Sequence, residues 1–131
     1  MGTLRTLLLA IMLGGIGTAP AAWAQVAPWQ DQLRTFATCV GRLSAQMEWQ
    51  WMFDGPGSEE TQRQRAGIIE LMEALIPPEQ GREVLAWRVE AKMAHAYLLT
   101  RATFGQDKRA AQRAERLAVR QIGECRSLLL S

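Results

Sequence analysis

One histidine and two cysteines are all the chain has of the residues that most often hold metals. A single histidine excludes every centre that needs two or more: the HExxH zinc site, the paired Glu-x-x-His di-iron bundle and three-histidine zinc. Covalent c-type haem is excluded as well, because no CxxCH is present. Phosphate-cradling glycine loops and a GxSxG elbow are missing; GPGSEE at 55–60 has too few glycines and no lysine. No segment alternates apolar and polar residues as a half-buried strand does, and there is no internal repeat or low-complexity tract. Carboxylates such as Glu48, Glu83 and Glu90 are available for acid–base work, but nothing in their spacing singles them out. These absences point away from an enzyme.

The longest apolar run, from Leu7 to Ile16, falls well short of the ~20 residues that span a bilayer. It follows one positive charge, Arg5, and precedes small residues ending in Ala22-Trp23-Ala24. That order predicts a secretory signal peptide over residues 1–24, cleaved before Gln25, and one domain over 25–131. No cysteine follows the apolar run to take a lipid anchor, so the expected mature protein has no transmembrane anchor and is periplasmic or secreted. Its 107 residues suffice for one core. With fourteen basic residues against thirteen acidic ones, its net charge argues for no particular partner.

An even count of cysteines in an exported chain predicts a disulfide, here Cys39–Cys125. From Trp29 the residues Leu33, Phe36, Val40, Leu43, Met47 and Trp51 recur every three or four positions, one stripe on a first helix. The segment DGPG at 54–57 is expected to end it, with Ser58 capping a second helix that buries Ile68, Ile69, Met72, Leu75 and Ile76. Pro77-Pro78 stops that helix. A third runs to about Phe104, with Val84, Trp87, Ala91, His95, Leu98 and Ala102 on one side. A second apolar aspect, Val89, Met93, Ala96 and Tyr97, predicts that this helix is covered on two sides. After Gly105 and Asp107 a last helix continues to about Leu129. Short turns between four helices imply an all-α antiparallel four-helix bundle, with the disulfide joining the first and last helices.

Four sets of residues are candidates for function. On a helical projection Trp51 belongs to the core stripe, whereas Trp49 falls on the opposite side. Trp49, Met52 and Phe53 therefore either fold over the end of the bundle or form an aromatic surface for a partner. Arg109, Arg113, Arg116 and Arg120, spaced four, three and four, form a basic ridge. Seven acids and four bases between Glu59 and Glu90 could pair with it internally. Otherwise it suits an anionic surface or an acidic envelope protein; export makes nucleic acid the wrong partner. His95 on an apolar stripe is expected to be a hydrogen-bonded core residue. With Met47 at a similar height on a parallel helix, it could alternatively ligate haem b or Cu(I), since thioether and imidazole suit both. The reading is an exported, non-enzymatic binding module without a cofactor, the haem or copper bundle being the alternative.

Overall fold

The computed structural model describes residues 27–130, and the signal-peptide reading lies outside them. Four helices follow in order: α1 (Pro28–Phe53), α2 (Gly55–Glu73), α3 (Gly81–Phe104) and α4 (Lys108–Ser127). The predicted four-helix bundle is present, and Cys39 of α1 is bonded to Cys125 of α4, with Cα atoms 5.4 Å apart.

Helix α1 is the element the others share. Its buried residues run well beyond one stripe, from Leu33, Phe36, Val40 and Leu43 to Ala37, Gly41 and Ala45. Leu33, Phe36, Ala37, Val40 and Leu43 meet Ile68 and Met72 of α2, Val84 of α3 and Ile122 of α4 in one cluster. Each such large side chain taken wholly from water contributes ~1.5–3 kcal/mol. Helix α3 runs parallel to α1: Arg34 lies over Trp87 near their starts, and Trp49 bonds Thr103 near their ends. Helices α2 and α4 run antiparallel to α1, as the contacts Gln50–Thr61, Ser44–Arg65, Cys39–Cys125 and Arg42–Glu124 show.

The turn between α1 and α2 is tighter than expected. DGPG is no loop: only Asp54 separates the helices, and Gly55 and Pro56 already belong to α2. Asp54, not Ser58, is the cap, its carboxylate accepting from the Gly57 N–H at 3.1 Å. Pro56 fits because a first-turn N–H has no helical partner to lose. Asp107 caps α4 the same way, accepting from the N–H groups of Arg109 and Ala110. Pro78 opens a short 3-10 turn, Pro78–Gln80, before α3.

Two burial expectations fail. Trp51 is 62% exposed rather than core. It continues the line of Ser44 and Met47, which borders a groove between α2 and α3, but lies beyond that groove in the last turn of α1, just before α2 begins at Gly55. At the opposite end residues 74–80 join α2 to α3, and the same line, there Leu33 and Val40, is fully buried. Second, α3 is covered on one side only. Val84, His95 and Leu99 are buried, whereas Leu85, Val89, Met93, Tyr97 and Phe104 are each more than half exposed.

The disulfide closes a loop of 86 residues, for which chain entropy gives ~4 kcal/mol. Cys39→Ser is therefore expected to lower the Tm by roughly 10 °C or more, at ~4 °C or more per kcal/mol. Equal melting of wild type with and without reductant, read by circular dichroism, would contradict the stabilising role.

Candidate functional site

Helix α4 is amphipathic in a strict sense. Ala114, Ala118, Ile122 and Cys125 are buried, and Arg109, Arg113, Arg116 and Arg120 are all exposed on the other side. The acids between Glu59 and Glu90 do not reach them. Salt bridges among the described residues are Arg42–Glu124, Arg63–Glu60 and Lys92–Glu48, and none draws on the ridge. Four guanidiniums thus stand along ~16 Å of one helix face with their charge uncompensated by a carboxylate of the described chain.

Beside the ridge helix a cleft of about 320 Å³ opens between α1, α3 and α4. Helices α1 and α4 are joined at Cys39–Cys125, and the cleft runs beside Gln46 and Trp49 of α1 and Glu115 to Arg126 of α4. Leu99, Ala118 and Ile122 form its floor, Trp49 and Val119 its walls, and Glu115 and Arg126 stand at its rim. This explains Trp49. The helix does not fray at its end; α1 continues to Phe53, and Trp49 turns into the cleft. Its indole N–H donates to Thr103 Oγ1 at 3.3 Å, and its ring lies 4.7 Å from that of Phe53. Met52 and Phe53 remain exposed, so the three aromatic-end residues do not present one uniform surface. The cleft was not legible in sequence because it depends on the spacing of α1, α3 and α4.

His95 is fully buried, and both ring nitrogens are engaged: Nδ1 lies 3.1 Å from the Gln121 side-chain amide and Nε2 3.2 Å from that of Gln46. Both partner atoms are glutamine Oε1 oxygens, and a neutral imidazole, which has one N–H, donates to one of them at a time. The structure does not bring His95 and Met47 together. Met47 lines the α1/α2/α3 groove with Arg65, Arg88 and Lys92, and His95 faces α1 and α4 elsewhere. Ligation by His95 would require displacing the Gln121 or Gln46 side chain from a ring nitrogen. In the groove, Arg65 donates to Ser44 Oγ, and burial followed by the Arg88 charge lowers its pKa.

Compared with protein-family models, curated proteins and solved structures, the chain matches none. Function therefore rests on the residues themselves.

Burial, offset in part by the Gln121 hydrogen bond, pushes the His95 pKa below its ordinary 6.5. The unfolded chain then takes up a proton before the folded one does, so His95 favours folding fully above about pH 6.5. That contribution is lost as pH falls from 6.5 through the lower folded value. The urea midpoint of the wild type should drop between pH 7.5 and pH 5 by more than that of His95→Gln. An equal drop in both would show that the imidazole is not the group responsible.

Proposed function

We propose that the protein is an exported, non-enzymatic binding module, periplasmic or secreted, whose α4 ridge docks on an anionic surface of the cell envelope. The observation that carries this reading is the ridge without counter-ions. Exposed like charges at helical spacing repel one another and lower helix stability slightly. Four of them on one face, free of internal pairing, are available to a partner rather than to the fold. Two features support the compartment: the signal-like residues 1–24, and a disulfide, which persists where thiols are oxidised. Among the described residues no helix is long and apolar enough to cross a membrane, in keeping with attachment by a surface. The acidic partner is either an envelope protein or a layer of anionic head groups, which attracts ~1 kcal/mol per nearby Lys or Arg.

Charge reversal separates this from a merely solvated face. Arg113→Glu/Arg116→Glu should leave the Tm nearly unchanged, because no ion pair is broken. Association with anionic vesicles, or with an acidic envelope protein, should weaken by a factor of ten or more. Wild-type binding should fall between low salt and ~1 M salt, where the Debye length shrinks to ~3 Å. Co-sedimentation and affinity capture measure both. Binding that ignores salt, or a variant that binds like wild type, rejects the ridge as the docking site.

A further inference from the structure

Helix α3 carries apolar residues on two sides, a pattern that belongs to a helix between two layers. The chain supplies one layer. Val84, His95 and Leu99 face α1 and α4, while Leu85, Val89, Met93, Tyr97 and Phe104 form an outward stripe, 52–67% exposed. Isolated exposed apolar side chains are ordinary; five large ones along one helix mark an interface. We infer that this stripe is a homodimer interface, in which α3 of a second copy packs antiparallel across a twofold axis near Met93.

A second copy fits better than a lipid surface or an unrelated helix because one pair on the stripe's border, Glu83 and Arg101, complements itself when reversed. Glu83 and Arg101 are both exposed and lie eighteen residues apart, five full turns, so they share one edge of the stripe. In a twofold antiparallel pair an edge meets the same edge of the partner in reverse order. With the axis near Met93, Glu83 of one copy stands within reach of Arg101 of the other, and the pair occurs twice. Arg82 comes to the height of Phe104, and Val89 to that of Tyr97. Arg101 is already held at this edge by its own stacking on Tyr97, 5.6 Å from the ring centroid. An anionic bilayer would instead press head groups against Glu83 and Glu90.

The area is sufficient for a reversible dimer. Five large side chains with on the order of 100 Å² exposed apiece give roughly 1,000 Å² of apolar surface from two copies, the least a specific interface needs. Flanking residues add to this. A twofold dimer would also carry two α4 ridges, so surface binding would gain from two attachments, but the dimer itself does not depend on the ridge.

Sedimentation velocity across a concentration series into the millimolar range tests the inference. Wild type should shift from monomer to dimer as concentration rises. Met93→Glu places two carboxylates at the axis and should leave a monomer throughout, with the wild-type circular dichroism spectrum and Tm, because Met93 is exposed. Glu83→Arg and Arg101→Glu should each weaken the dimer about tenfold, and the double variant should recover it. Arg113→Glu/Arg116→Glu should dimerise like wild type. A wild type that stays monomeric throughout, or a Met93→Glu variant that dimerises normally, overturns the interface. A double charge swap no stronger than its singles overturns the antiparallel arrangement.

Discussion

Where α1 crosses α3, the two backbones come so close that only glycine fits. A Cβ on Gly41 would lie 2.2 Å from the Arg88 carbonyl oxygen and 2.9 Å from the Lys92 nitrogen. Small residues at such a crossing let helices pack backbone to backbone, and here Ala91 faces Gly41 as the next nearest side chain. Most of the arrangement follows from this one approach. It fixes α3 beside and parallel to α1, which sets His95 between Gln46 and Gln121 and Lys92 against Glu48. It also turns the far side of α3 to solvent, because the inner side is already committed.

Helix α4 is held differently. It packs on α3 along an alanine-rich face and is tied to α1 by Cys39–Cys125, supported by Arg42–Glu124 at 3.7 Å. Held by that face, α4 lines the cleft at Trp49 with Ala118, Val119 and Ile122. The same one-sided attachment keeps the arginine face entirely clear of the bundle. Neither the ridge nor the outward stripe of α3 helps hold the four helices together, and this is what makes each a candidate for work outside the fold.

The helices, their order and the disulfide were legible in the sequence because each leaves a local mark. Those marks are the three-and-four spacing of Leu33 to Met47, the Pro77-Pro78 stop, and an even cysteine count behind a signal-like first segment. The arginine ridge was legible for the same reason, being confined to one helix face. Three features were not. Trp51 continues the line of Met47, yet it lies in the last turn of α1 and stays exposed. DGPG carries loop residues, yet the Asp54 carboxylate makes it a helix start. The two-sided apolar pattern of α3 announces two coverings, and no local signal says whether both come from the same chain. Each depends on distances between helices, which residue spacing along one helix does not contain.

The close α1/α3 crossing is the claim on which the rest hangs, and Gly41→Ala tests it by sign. In an ordinary helix interior Gly→Ala stabilises by up to ~1 kcal/mol. At a true backbone contact the added methyl must force the helices apart, a form of overpacking that typically costs ~1–3 kcal/mol. Urea unfolding of the two proteins side by side gives the difference. The account predicts a lower midpoint for the variant; a midpoint equal to or above that of wild type would contradict it.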